Sequence, residues 1–445
     1  MFKQPTSSIG FYTIAGLSLA GYILLGYSTD RMNFPQLIAL FGLLFLGYIY
    51  LTRANLKEGF IKQGILLSVL FRLSLVFMIP NLSDDYFRFI WDGRLLAHSI
   101  NPFVVMPSTF INSPEAAIAG LNYKLFSSMN SQGYYSIYPP VLQFIFFVSA
   151  KCFSSNILGS VILMRVFILS AEIGSIFLLS EILRKMNLPA KNVLFYALNP
   201  LVIIELTGNL HFEALMIFFL LLSFFLLLKE QFTLSAIAFS LAICSKLLPL
   251  MLLPLLLKKI GFGKSMRFYF ICGITTILLF VPFISRESIG NILSSVGLYF
   301  HSFEFNASIF YIVRWAGFEK LGYDVIGKAG TILSLIAMLA IFSIAIFQKG
   351  KDLRSLFPAM LFGLTFYFAF ATIVHPWYIS TLVALSVFTT FRFPLIWSGL
   401  ITLTYFTYRS IPYSESLLLV AIEYLFLYFF MVYELKESRK HALLQ

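Results

Sequence analysis

Between Ser83 and Arg94 the chain reads Ser-Asp-Asp-Tyr-Phe-Arg-Phe-Ile-Trp-Asp-Gly-Arg, with five charges and four aromatic residues in twelve positions. An apolar segment ends just before it, near Pro80. Adjacent aspartates suit two tasks: a general base that takes a proton from a hydroxyl, or a cation ligand. Helix geometry accounts for part of the pattern without either. Ser83 can cap a helix, and Asp84 and Asp85 would then sit in its first turn, where the dipole favours acids. On that helix Asp85, Arg88 and Asp92 share a face. A carboxylate held by a neighbouring arginine at a membrane surface suits a base, which singles out Asp85. Asp84 would share that role or bind a cation, and Asp92 and Arg94 read as supporting groups.

Three further clusters combine polar side chains with helix breakers. Gly208-Asn209-Leu210-His211 forms a tight turn before Glu213, and Gly208 and Asn209 suit such a turn in any case. Lys246 follows Ser245 and precedes Pro249, so its ammonium could meet a phosphate or simply snorkel to water. His375-Pro376-Trp377-Tyr378 opens an apolar run. Trp377 and Tyr378 are what an interfacial aromatic belt contains, whereas His375 could bind phosphate or position a hydroxyl. Arg72, Arg165, Glu172 and Glu423 lie inside apolar runs, where charges are costly and usually paired. Arg165 and Glu172 stand seven apart on one helix face and are expected to share partners.

The elements that must position these groups follow from composition. Of 445 residues, 59% are apolar and 12% charged, and mean hydropathy is +0.87. A spanning helix needs about 20 apolar residues. Apolar segments run about 9–28, 34–52, 61–80, 157–183, 191–206, 211–228, 232–257, 267–285, 327–348, 353–373, 375–391, 394–409 and 415–433. They are continuous rather than alternating, so a β-barrel is unsuited to them. The first lacks a small-residue cleavage site and reads as a retained helix. The net charge of +12 resides in short loops, as the positive-inside rule expects, and does not call for nucleic acid. Cys152, Cys244 and Cys272 offer no disulfide framework and no metal spacing.

Basic clusters set the orientation. Arg53, Lys57 and Lys62, then Arg184, Lys185 and Lys191, then Lys258, Lys259, Lys264 and Arg267 mark cytoplasmic loops, as do Lys349, Lys351 and Arg354. Arg392 and the tail Lys436, Arg439 and Lys440 complete the set. With the N-terminus inside, segment 61–80 exits outward and a large extracytoplasmic loop spans 81–135. The apolar run after Tyr138-Pro139-Pro140 is too short to cross, which predicts a re-entrant or interfacial helix over 136–153. Lys246 and Pro249 should split 232–257 into two legs. A second outer loop covers 286–326, with a short helix around 308–316. His98, His211, His301 and His375 all fall on the outer side. The expected fold is an all-α polytopic membrane protein, one integral membrane domain over 1–445 with about 13–14 transmembrane helices and short interfacial helices in the first loop. No repeat of 20–50 residues is visible.

The order of these motifs resembles a known superfamily. The Asp pair is followed by Trp91-Asp92-Gly93-Arg94, Asn101-Pro102-Phe103, Tyr138-Pro139-Pro140, Asn199-Pro200-Leu201, Ser245-Lys246-Leu247-Leu248-Pro249 and His375-Pro376-Trp377-Tyr378. This pattern resembles the GT-C membrane glycosyltransferases, and among them the polyprenol-phosphate-mannose-dependent mannosyltransferases. These include bacterial family 87 proteins and the catalytic subunit of GPI mannosyltransferase I. The resemblance implies a GT-C-type bundle, a lipid-phosphate sugar donor, an extracytoplasmic active site and inversion at the anomeric carbon. It places Asp84 and Asp85 at the family's acidic pair, which often reads Asp-X-Asp; here the acids are adjacent.

The residues themselves fit that chemistry. Polyprenyl phosphate is already a good leaving group, so one carboxylate and a few cationic groups suffice. Arg88, Asp92, Arg94, Asn209, His211, Lys246, His375 and Tyr378 are the candidate substrate-binding residues. A divalent metal on Asp84 and Asp85 is an option; no other cofactor is implied. No Gly-rich phosphate loop follows a strand, and no cytoplasmic stretch could hold a nucleotide domain. The expected partners are a polyprenyl-phosphate-linked hexose, mannose first, a glycan, lipid or protein acceptor, and membrane lipids, in a bacterial inner or plasma membrane. A lipid-linked-sugar flippase and a polysaccharide polymerase or ligase are the rival readings. Transporters tend to place charges at the midplane, often with repeats; here the charges cluster at the outer interface.

Overall fold

The structure, a computed structural model, describes residues 8–53, 58–350 and 352–443. Lys57 and Lys351 lie outside these residues, as do the side chains of Arg53, His301 and Arg439. Among the described residues the regular elements are all helical, and one isolated bridge pairs Phe305 with Ile373. The expected all-α membrane fold is present. Among the described residues six helices, against the 13–14 spans expected, are long and apolar enough to cross a membrane unaided: Ser8–Tyr27, Phe34–Thr52, Ile157–Lys185, Phe262–Phe283, Ile326–Phe347 and Leu417–Ser438. A bent pair, Pro200–Gly208 with Glu213–Leu227, turns by 112° and could serve as a seventh. Other apolar segments form shorter or broken helices, among them Pro140–Cys152, Phe232–Ile243 and Leu356–Phe370.

The breaks have local causes. Asn199 accepts from the Leu201 and Val202 amides and so caps the helix that Pro200 opens. A π-helical stretch, Ile203–Gly208, follows at once. Pro249 lacks an amide hydrogen, and segment 232–257 splits there into Phe232–Ile243, a 3-10 turn over Leu248–Leu252 and the helix Leu253–Ile260. Region 81–135 holds the helix Asp85–Ala97 and three short ones, Pro107–Phe110, Pro114–Ile118 and Tyr123–Ser127. Region 286–326 carries two helices, Arg286–His301 and Ile309–Leu321, where the sequence suggested one. A capping box between Ser285 and Ser288 starts the first of them.

The Asp85–Ala97 helix packs on Pro140–Cys152. Gly93 permits this: a Cβ there would stand 2.3 Å from the Phe146 carbonyl oxygen. Phe89 stacks on Phe146 at 4.8 Å, and its ring edge meets Tyr138 and Phe212. Large apolar side chains such as Leu43, Leu46, Phe270, Leu278, Leu339 and Phe429 face outward, a surface that suits lipid and not water.

Charges inside the bundle hold helices together. Arg72 donates twice to Glu172 Oε2, at 2.9 and 2.8 Å, and once each to the Ser68 and Ala197 carbonyls. Tyr196 closes Glu172 from the other side. Arg165 and Glu172 do not share partners as expected. Arg165 gives all three donor groups to carbonyls, those of Thr207 and Gly208 at the π-helical break and that of Val76 beyond the helix Glu58–Leu73. The bundle has two chemically distinct ends. One gathers the turns at 28–33, 74–84, 208–212, 371–378 and 409–416. The other gathers basic loops, where Lys259 bonds Gly350 and Ser355, and Arg354 bonds Met186.

Candidate active site

Asp84 precedes the Asp85–Ala97 helix but makes no capping bond. Its Oδ2 takes Arg31 Nη1 at 2.6 Å. Arg31 sits in the turn between the first two helices, and its Nη2 donates to the Tyr413 hydroxyl at 2.9 Å. The guanidinium also lies 5.7 and 5.8 Å from the ring centres of Tyr408 and Tyr413. One arginine thus ties the start of the acidic helix to two distant segments.

Asp85 is half-buried and held differently. Asn130 Nδ2 donates to its Oδ1 at 2.9 Å. Its Oδ2 has no partner among the described residues. Its charge reaches the hydroxyls of Tyr378 and Tyr408. Arg88 does not hold Asp85, although the two share a helix face. It pairs instead with Asp92 Oδ1 at 2.8 Å and donates to the Ser131 and Tyr134 carbonyls. Asp92 Oδ2 accepts from Ser136 at 2.5 Å and Gln143 at 3.1 Å. Arg88 and Asp92 are both buried, so this network fixes the loop rather than facing the site. Arg94 likewise turns away and donates to the Gly120 carbonyl at 2.5 Å.

The other sequence candidates converge from separate helix ends. Asn209 Oδ1 accepts from the Leu82 amide at 3.3 Å, which seats the 208–212 turn against the acidic stretch. Lys246 pairs with Glu213, and its ammonium lies 4.5 Å from the Tyr378 ring centre. The break that carries Lys246 is anchored where the Val141 amide donates to the Cys244 carbonyl at 3.1 Å. Trp377 stacks on both histidines, at 3.7 Å from His211 and 4.4 Å from His375. The Nε2 of His211 and the Nδ1 of His375 are buried without partners.

Sequence reasoning missed two residues here. Arg31 carries a positive charge on the side expected to be poor in them, which was its signal. Glu205 is an acid inside an apolar segment, a signal of the same kind. It is fully buried, accepts from Tyr405 and Asn209, and stands 3.2 Å from His211 Nδ1. Among the described residues no three or more His, Cys, Asp or Glu come together to hold a metal. With Arg31 on Asp84, a cation at the acidic pair would find one aspartate already engaged.

Residues 17–260 match the family described as alpha-(1->6)-mannopyranosyltransferase, N-terminal domain. The chain belongs to this family. No curated protein matches it. It is therefore a glycosyltransferase of mannose chemistry, built as an integral membrane protein. The match takes in Asp84, Asp85, Glu205, His211 and Lys246 and ends before His375, Trp377, Tyr378, Tyr408 and Tyr413. The site end of this mannosyltransferase is thus assembled from the matched region and from the chain beyond it.

Proposed function

We propose that this mannosyltransferase moves mannose from a polyprenyl-phosphate carrier to the 6-hydroxyl of a mannose-bearing acceptor, with inversion at the anomeric carbon. One observation carries the reading. Asp85 keeps one carboxylate oxygen open at the end of the bundle where Lys246, His211 and Tyr378 gather. In the reaction Asp85 Oδ2 takes the proton of the acceptor hydroxyl as its oxygen bonds C1. The bond from C1 to the phosphate oxygen breaks, and its electron pair leaves with polyprenyl phosphate. A single displacement of this kind turns a β-linked donor into an α-linked product.

The site end lies opposite the basic loops, and basic loops favour the cytoplasm. This supports an active site on the extracytoplasmic side of a bacterial inner or plasma membrane, reached by a lipid-borne sugar. The test supplies membranes holding the protein with polyprenyl-phosphate-mannose or with a nucleotide-linked mannose. Transfer from the lipid donor alone, lost in Asp85→Asn, is the expected result. Transfer from the nucleotide donor without lipid would overturn the reading, and so would equal transfer by Asp85→Asn.

A further inference from the structure

His211 hydrogen-bonds the Glu205 backbone carbonyl, and the Glu205 carboxylate lies beside that bond with its Oε2 unpartnered. His211 Nδ1 stands 3.0 Å from the Glu205 carbonyl oxygen and 3.2 Å from its carboxylate Oε2. The backbone carbonyl only accepts, so Nδ1 carries the hydrogen and donates it there. That leaves Nε2 as the edge where a second proton could bind, and Nε2 has no partner. Tyr405 and Asn209 hold Glu205 Oε1, and Trp377 holds the imidazole face at 3.7 Å. The ring is therefore fixed in place and in tautomer while one buried nitrogen stays unpartnered.

The charges around it are short of positive ones. Lys246 is engaged by Glu213, and Asp84 is matched by Arg31. Arg165, behind the turn, gives its donors to three carbonyls and cannot reach a ligand. Tyr405 donates its hydroxyl to Glu205 and brings no positive charge. His375 lies on Trp377 with no carboxylate of its own, and burial and Lys246 lower its affinity for a proton. Asp85 and Glu205 remain as unmatched carboxylates. A phosphate entering here adds further negative charge, which becomes greatest on the leaving monoester.

We infer that Glu205 is a positioning residue that lets His211 take up a proton when the lipid phosphate binds, so that an imidazolium Nε2–H meets the phosphate oxygen. This rests on the lipid-phosphate donor proposed above. A proton on a buried Nε2 without an acceptor is unfavourable, and a phosphate oxygen supplies the acceptor. Binding and proton uptake are then linked.

Isothermal titration of the purified full chain with farnesyl phosphate tests this, run at pH 7.5 in buffers of different ionisation enthalpy. About one proton taken up per ligand is expected in the wild type. His211→Gln should bring the uptake near zero, Glu205→Gln should reduce it, and Glu205→Asp should restore part of it. Binding with no uptake by the wild type would overturn this role of His211 and leave the donor reading intact. Uptake unchanged in His211→Gln would place the proton on the phosphate and overturn it as well. No binding of farnesyl phosphate by the wild type would overturn the donor reading, and this inference with it.

Discussion

Two buried carboxylates in this molecule are built alike and end differently. Glu172 takes a tyrosine hydroxyl from Tyr196 and two guanidinium donors from Arg72. Glu205 Oε1 takes a tyrosine hydroxyl from Tyr405 and an amide from Asn209, while the His211 imidazole bonds its backbone carbonyl and lies 3.2 Å from Oε2. Both are fully buried. The first cluster closes on a permanent cation, and each of its donors meets a helix. The second closes on a titratable ring that keeps one nitrogen open. The Arg72–Glu172 cluster holds the bundle, and the Glu205–His211 cluster leaves unpartnered atoms at the site end. Asp85 repeats the open pattern with one carboxylate oxygen free.

If that division holds, substitutions should separate rate from stability. The largest effect falls on the open side. Asp85→Asn should lower mannosyl transfer by about 10²–10⁴, the usual worth of a general base, with thermal unfolding in detergent close to wild type. A matching loss of stability would erase the distinction. On the closed side, Glu172→Ala leaves Arg72 buried and unmatched, and should cost about 3–5 kcal/mol. The double variant Arg72→Met with Glu172→Leu should recover most of that loss by melting temperature and keep transfer. Loss of transfer in a well-folded double variant would move the closed cluster into the site.

Smaller effects sharpen the boundary. Gly93→Ala forces a Cβ onto the Phe146 carbonyl and should destabilise by about 1–3 kcal/mol, as overpacking does. Its measured unfolding should shift while the residual folded fraction stays active. Arg31→Ala and Asp84→Asn should each slow transfer about tenfold, or roughly 1.4 kcal/mol. Combined, they should cost little more than either alone, because both break one clamp. Full additivity in kcat/KM would show two independent roles. Tyr378→Phe keeps the ring under Lys246 and should change transfer by less than about threefold, whereas Tyr378→Leu removes a contact worth about 0.5–1 kcal/mol.

Much of this arrangement was legible locally. Pro200 after Asn199, Gly208 before Asn209 and Pro249 after Lys246 mark breaks because each acts on the backbone where it stands. Those breaks are where the site end collects Asn209, His211 and Lys246. The acidic stretch was equally visible, as charges among apolar runs. Partnership was not visible. Helix periodicity put Arg88 on the face of Asp85, but it equally puts Asp92 within reach, and burial chose Asp92. Nothing in the spacing tied Asp84 to Arg31 or Glu205 to Tyr405, which meet across 53 and 200 residues.

The sequence by itself determined a helical membrane protein, the positions where its helices break and the acidic pair that begins its first large loop. These follow from backbone chemistry and hydropathy, which act over a few residues at a time. Only the tertiary structure decided which aspartate is clamped and which keeps an open oxygen. It also decided that His211 is backed by Glu205 and stacked on Trp377. Such choices depend on which helix ends the packing brings together, and no local rule carries that information.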